Sequence, residues 1–350
     1  MPGGTGEADA PPPAMVPVRQ APVMSDVARV AGVSLMTVSR VLNEPRLVRA
    51  STRERVQSVI AELGYRPNAV ARSLVTRRSQ TIGVVSLDTM LYGPASTLHG
   101  IERAARGAGF FVSVTTAETP DPPALQSAIA RLMDQSVDGM IVIAPTRDAA
   151  QSLADLPPVV PSVVVEGSSP GLPCVAVDQR LGAITATEHL LRLGHATVHH
   201  VSGPLHWLEA QARVDGWRES LEAAGRDVPA PVNGDWTARS GYEAGRELAR
   251  RTGLTAVFVA NDHMALGVLL ALHESGRHVP GDVSVVAFDD VPESAFYLPP
   301  LTTVHQDFDD VGRQSIDLLM QYVETPSAPV RRRLLAPRLV VRATTAAPPA

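Results

Sequence analysis

Between Val23 and Leu63 the apolar residues fall into three short sets with helical spacing. After Ser79 they gather into short β-rich runs separated by longer helical stretches. In the first set Val27, Ala28 and Ala31 share one face of a helix that Ser25 can cap, and Gly32 ends it where the chain must turn sharply. Ser34 caps a second helix that starts at Leu35, and its Val38, Val41 and Leu42 point inward at i, i+3 and i+4. Leu35, Met36, Ser39 and Arg40 are then left outward near its N-terminal end. Ser51-Thr52-Arg53-Glu54 reads as a capping box for a third helix, which offers Val56, Val59, Ile60 and Leu63 before Gly64 stops it. The pattern is that of a helix-turn-helix with a supporting third helix; an ordinary αα-hairpin is the plainer alternative.

Charge favours the first reading. From Val23 to Gln80 ten arginines stand against Asp26, Glu44, Glu54 and Glu62, a surplus of +6 in a chain whose net charge is −5. A basic module on an acidic body is the footprint of phosphate contact. Every basic position is Arg, since the chain has no lysine.

Beyond Ser79, strands are expected over 81–86, 110–115, 140–144, 162–165, 198–201, 256–259 and 283–288. Helices are expected over 96–107, 123–135, 181–193, 210–224, 240–250 and 263–275. Strand–helix alternation of this kind implies parallel sheets with crossover helices. With 350 residues and 45% hydrophobic content the chain can bury a large core, in more than one domain. A single cysteine, Cys174, allows no internal disulfide and suits a reducing cytoplasm. No apolar run has the length of a membrane span. Residues 1–22 are rich in Pro, Gly and Ala and lack the build of a signal peptide, so a disordered tail is expected there, with residues 343–350 a second one.

Catalytic patterns are missing from the sequence: there is no Gly-x-Ser-x-Gly elbow, phosphate loop or His-Glu-x-x-His. His195, His199 and His200 lie close together, but the last two are neighbours on an expected strand and point to opposite faces, which argues against a metal site. Asp289-Asp290 has no partner nucleophile. The chain reads as a binding protein without cofactor or metal, not an enzyme.

A resemblance sharpens this. The run Asp26-Val27-Ala28-x-x-Ala31-Gly32-Val33-Ser34-x-x-Thr37-Val38-Ser39-Arg40-Val41-Leu42-Asn43 resembles the headpiece of the lactose/galactose repressor family of bacterial transcription regulators. Gly64-Tyr65-x-Pro67-Asn68-x-x-Ala71-Arg72-x-Leu74 resembles the family's hinge helix. The likeness continues through Gly234-Asp235-Trp236, Val259-Ala260-Asn261-Asp262 and Pro299-Pro300-Leu301-Thr302-Thr303 to about Arg342. It implies an all-α headpiece over 23–66, a hinge over 67–79, and an α/β body over 80–342. That body would have two doubly wound lobes like those of periplasmic binding proteins, crossed by the chain near 177–178, 306–308 and 335–338. It also implies operator contacts from Ser34, Leu35, Met36, Thr37, Ser39, Arg40 and Asn43, and from Asn68, Ala71 and Leu74 of the hinge, with Leu74 as a minor-groove wedge.

The same resemblance places a small effector in the cleft between the lobes. Arg213, Trp236, Asn261, Asp289 and Gln306 would contact it, with Val177, Phe308 and the segment from Leu91 to Pro94. Carboxylate, amide and guanidinium groups beside an indole face suit the hydroxyls and C–H edge of a pyranose. Each residue also has a plainer role: Trp236 in the core, Asn261 as a helix cap. Two departures stand out. Where the family has an Asp that contacts ligand after the third strand, this chain has Arg147 followed by Asp148; either a one-residue shift restores the carboxylate or that edge recognises something else. His206-Trp207 replaces small polar residues, so that Trp207 either stacks on a second sugar ring or shields the cleft mouth.

The expectation is a sugar-responsive repressor that binds a near-palindromic operator as a homodimer, without membrane attachment. A purine- or nucleoside-responsive regulator is the nearest alternative; an exported sugar receptor and a sugar-processing enzyme are the readings from other classes. The end of the chain, Arg342 to Ala350, has no leucine for a heptad repeat, which points to a dimer rather than a tetramer.

Overall fold

In a computed structural model of the chain, the described residues are 22–65, 78–87, 90–119, 121–154, 160–167 and 171–349. They divide into two units, Met1–Arg77 and Arg78–Ala350.

The first unit holds α1 (Met24–Ala31), α2 (Leu35–Asn43) and α3 (Ala50–Leu63), with a 3-10 turn at Pro45–Leu47. Val27, Ala28, Ala31, Val38, Val41, Val56, Val59 and Tyr65 form its core. Gly32 sits at φ +63°, a left-handed conformation that lets its N–H reach back to the end of α1 and turn the chain into α2. Two caps differ from expectation. Ser25 lies inside α1, whose N-cap is Val23; the Val23 N–H instead donates to the Asp26 carboxylate at 3.0 Å. Ser51 lies inside α3, which starts one residue earlier with Arg49 as a cap that makes no side-chain bond. The expected hinge residues Asn68, Ala71 and Leu74 lie outside the described residues, as does nearly all of the expected N-terminal tail.

In the second unit, β1 (Thr81–Ser86), β2 (Phe111–Thr116), β3 (Gly139–Ile143), β4 (Ser162–Val165), β5 (Cys174–Val177) and β11 (Arg332–Leu335) form one sheet. Its order is β11-β5-β4-β3-β1-β2, and all pairs are parallel. The second sheet comprises β6 (His199–Ser202), β7 (Val232–Asn233), β8 (Ala256–Val259), β9 (Ser284–Asp289), β10 (Thr302–His305) and β12 (Arg338–Val340). Its order is β12-β10-β9-β8-β6-β7, with only β12 antiparallel to its neighbour. The first lobe is completed by α4 (Tyr92–Gly107), α5 (Pro122–Asp134), α6 (Arg147–Ala154) and α11 (Phe308–Glu324). The second is completed by α7 (Gln179–Arg192), α8 (Leu208–Ala223), α9 (Ala238–Leu248) and α10 (Asp262–Glu274).

The chain crosses between lobes three times, from β5 into α7, from β10 into α11, and from β11 into β12. Strands such as β3, β4 and β8 are apolar on both faces because helices cover each side of the sheet. The return of α11 against α4 is close. A Cβ at Gly100 would strike the Phe308 backbone, and one at Gly312 the Gly100 backbone, so both positions need glycine.

The expected C-terminal tail is a further correction. Residues 343–349 lie along the second sheet. Val285 N–H donates to the Thr344 carbonyl at 2.8 Å, the buried Thr344 hydroxyl returns a bond to the Val285 carbonyl, and Thr302 N–H donates to the same hydroxyl. His195 bridges Thr255 and the Ala346 carbonyl at 3.0 Å each. Backbone partners hold this segment, which is why its composition gave no hint of order.

Candidate functional site

In the first unit the outward face of α2 collects the expected contact residues. The Thr37 N–H donates to the Ser34 side chain at 3.2 Å, fixing the start of the helix. Leu35 and Met36, 53% and 64% exposed, project beside it. Arg40 is exposed and takes part in no ion pair among the described residues. The Asn43 side chain donates to the Ser39 hydroxyl one turn back at 3.3 Å. An unpaired guanidinium and two apolar side chains at a helix N-terminal end is a surface without internal purpose; burying it needs a partner.

In the second unit a cavity of about 190 Å³ opens between the lobes, where loops leave the carboxyl ends of the strands. Leu91, Pro94, Trp207, Arg213, Trp236, Asn261, Asp289, Gln306 and Phe308 line it, together with Tyr92, Glu209 and His263. Val177 and Asp148 do not. Val177 faces neighbouring cavities, because it is the last residue of β5 at a crossing. Asp148 is exposed on the first turn of α6, so it does not supply the carboxylate that the one-residue shift would have restored.

Arg213 anchors the floor. It is 2% exposed; its Nε and Nη2 donate to the Gln179 side-chain oxygen at 3.0 and 2.8 Å, and Nη1 donates to the Ala260 carbonyl. Asp289 lies 3.6 Å from Nη2, and the Gln306 amide donates to the same carboxylate at 2.7 Å. Gln179 in turn donates to Gln306 at 2.8 Å. The guanidinium stacks over Phe288, with 3.8 Å to the ring centroid. Four side chains from α7, α8, β9 and the β10–α11 crossing thus form one network that touches two of the lobe crossings.

Aromatic groups form the walls. Trp207 and Trp236 meet edge to face at 5.8 Å, and Tyr92 meets Phe308 in the same way at 5.8 Å. Trp236 adopts φ +75°, and its ring fills the space a side chain at Gly203 would take. Its indole N–H is buried without a partner among the described residues. Trp207 is also buried, and its loop is tied to the other lobe by main-chain bonds: Leu208 N–H to Pro145 O at 2.8 Å and Arg147 N–H to His206 O at 3.2 Å. Asn261 has both roles open to it. Its oxygen caps α10 by accepting from the Met264 N–H at 2.9 Å, while its amide donates to the Trp236 carbonyl and the residue still faces the cavity.

Sequence reasoning missed three carboxylates of this region. Asp262 is fully buried and ties the following loops together, accepting from Thr303, Ser294 and the Val291 N–H. Glu209 lies on the first turn of α8 and lines the cavity. Glu166, 6% exposed, directly follows β4 and lines the adjoining cavity. Neither Glu166 oxygen has a partner in bonding geometry among the described residues, although the Arg213 charge, the Val177 N–H and the Gln179 amide each act to lower its pKa. Burial and the Glu209 charge outweigh them and push Glu166 up to about 8. Burial raises Glu209 too, against the pull of Arg213. Burial lifts Asp289 to about 7 in spite of Arg213, and burial followed by the Asp289 charge lifts Asp262 to about 7.

These shifts fix the sign of a stability profile. A carboxyl whose folded pKa exceeds its unfolded one is neutral when folded and ionised when unfolded across the interval between them. Ionisation therefore favours unfolding, and stability falls as pH rises through that interval. Melting temperature should decline between about pH 5 and pH 8, and Glu166→Gln should flatten part of that decline. A melting temperature constant over this range in the parent protein would show that these carboxyls are not held neutral.

His195, His199 and His200 serve structure. His200 is buried between Trp217 and Phe258 and donates to the Phe258 carbonyl at 2.8 Å; burial pushes its pKa down to about 3. No group of three or more metal-ligating side chains occurs among the described residues, and no helix there is long and apolar enough to cross a membrane.

Comparison with known proteins agrees with this division. Residues 23–68 match the family described as bacterial regulatory proteins, lacI family, and residues 187–345 match a periplasmic binding protein-like domain. The chain is 37% identical over 337 residues to the lactose operon repressor of Escherichia coli (strain K12), covering 92% of this chain and 90% of that one. It is 34% identical to the HTH-type transcriptional repressor PurR of Haemophilus influenzae (strain ATCC 51907 / DSM 11121 / KW20 / Rd), covering 91% and 97%. Among solved structures it resembles the lac repressor dimer bound to operator and the anti-inducer ONPF. The TM-score is 0.83 with 36% identity, over 94% of this chain and all of that one.

Proposed function

Since the chain belongs to the lacI family of bacterial regulatory proteins and is a DNA-binding transcriptional repressor, we propose that a small sugar bound between the two lobes releases it from its operator. The observation that carries this reading is the Arg213–Gln179–Gln306–Asp289 network beneath the Trp236 indole. It presents planar donors and acceptors at the base of an aromatic cleft, the chemistry that vicinal hydroxyls and a ring's C–H face require. The network also touches two of the three lobe crossings, so a ligand that binds one lobe arrangement better shifts the population toward it.

On DNA, α2 enters the major groove with its N-terminal end. Arg40 donates to a guanine edge, and Leu35 and Met36 offer apolar contact such as to a thymine methyl. Ser34, Thr37, Ser39 and Asn43 stand beside them, and the hinge residues add minor-groove contacts. Dimerisation supports a near-palindromic site. The exposed Leu266, Leu270 and Leu298 gather with Val279 around one groove of the second lobe, an apolar patch suited to a self-complementary interface.

A thermal-shift screen of mono- and disaccharides, purines and nucleosides on the purified protein tests the reading. A rise in melting temperature with one or more sugars, together with release from operator DNA, is expected. A rise with purines or nucleosides and with no sugar would replace it by the nucleobase reading.

A further inference from the structure

The cleft holds more carboxyl groups than a neutral sugar requires. Glu209 lines both the main cavity and the adjoining one of about 440 Å³, which Glu166, Val177, Asp178 and Gln179 also line. Glu166, Glu209 and Asp289 are therefore grouped about a single buried guanidinium, and that guanidinium is already committed. Arg213 gives its donors to Gln179 and Ala260, and of the three carboxylates only Asp289 lies within ion-pair distance, although its charge also acts on Glu166 and Glu209. Two further arginines border the adjoining cavity, but Arg180 is paired with Glu219 and Arg332 is exposed at the rim.

Glu166 is the independent sign of a ligand. Its carboxylate is more than nine-tenths buried, faces the cavity, and has no bonding partner among the described residues at either oxygen. A buried carboxylate without a partner is unfavourable whether it ionises or takes up a proton from a neighbour, unless something brings donors or charge to it. Among the described residues the Gln179 amide approaches Glu166, but that amide is committed to Gln306 and its oxygen to Arg213. The unpartnered Trp236 indole N–H, on the other wall, marks where a ligand acceptor is wanted.

Resting on the reading of this cleft as a sugar site, we propose that the effector is an amino sugar, its hydroxyls held by Arg213, Asp289 and Gln306 and its protonated amine held by Glu166 and Glu209. A compact ammonium supplies three donors and a positive charge, which answers two carboxylates at once. A neutral glycoside supplies hydroxyl donors but no cation to let the pair ionise, and an N-acetylated sugar replaces the ammonium by a bulkier neutral amide.

The test is calorimetry on the full-length protein at pH 7 with galactosamine, glucosamine, mannosamine and 6-amino-6-deoxyglucose. Each is compared with its hydroxyl parent and its N-acetyl derivative. At least one amine should bind about tenfold or more tighter than both of its neutral counterparts, the effect of one charge-assisted bond. Glu166→Gln should bring that ratio close to one while the parent sugar's affinity persists; because it neutralises an unpartnered buried acid, this variant should fold at least as well as the parent protein. If neutral sugars bind as tightly as or tighter than every amine, the proposal falls and the sugar reading stands. If amines keep their advantage in both Glu166→Gln and Glu209→Gln, the assignment of these carboxylates is wrong. If no sugar of either kind binds while a purine does, both readings fall together.

Discussion

Arg213→Ala should abolish the response to effector and lower the melting temperature of the body in one step. The guanidinium is almost wholly buried, and its removal leaves Asp289 without its ion-pair partner and Gln179 and the Ala260 carbonyl without their donor. Breaking a buried ion pair by removing one partner destabilises by about 3–5 kcal/mol. Asp289→Asn is the milder companion. It keeps an acceptor for Gln306 and a polar oxygen beside Arg213, so it should lower the melting temperature less than Arg213→Ala does. Its effector affinity should nevertheless fall by about ten- to a hundredfold, the loss of a charge-assisted bond. Thermal melts paired with calorimetry separate the roles: an Arg213→Ala protein that melts early yet binds effector normally would make Arg213 a structural brace only.

Arg40→Ala should weaken binding to the operator by about 1–3 kcal/mol while affecting random DNA much less, because a bidentate contact to a guanine edge is lost along with one charge. The difference between the two DNAs, read by titration at a fixed salt concentration, is the informative quantity. Equal losses on both would demote Arg40 to a phosphate contact and move base reading to Leu35 and Met36. Apo folding should be little changed, since Arg40 is exposed and supports no ion pair among the described residues.

Much of this architecture is legible in the sequence, and the failures have physical causes. The Ser34 cap and the inward faces of α1 and α2 follow from local spacing, and the structure has them. Ser25 and Ser51 were credited as caps because short polar side chains precede apolar runs. In both cases the helix starts two residues earlier than such a cap would have it, at Met24 and Ala50, and the serine falls within its first turn. The long helix α11 and the strands β10 to β12 were not expected. Each strand is only three or four residues long and is fixed by pairing partners far away in the chain.

At the site, residues recognised by their place in a family pattern mostly line the cleft, whereas Val177 and Asp148 do not. Glu166 had a signal that went unread. A lone acid directly after the run Ser162-Val163-Val164-Val165 sits at the carboxyl end of a buried strand, where open α/β sheets place their ligands. Glu209 had none, since an acid in a helix's first turn is ordinary. The order of residues 343–349 was hidden for a similar reason: it rests on main-chain bonds to Val285 and Pro300, which no local composition encodes.

The tie between the lobes at Pro145, Arg147, His206 and Leu208 is made of peptide groups alone. Its donors and acceptors are therefore present whichever side chains stand there, provided that no proline replaces Arg147 or Leu208. His206 and Trp207 can thus be exchanged for other residues, Trp207 altering one wall of the cleft, while the fastening itself is inherited unchanged. The shape of that wall and the hold between the lobes sit on the same few residues yet vary separately, which leaves descendants of this chain free to reshape the cleft without having to reinvent the fastening.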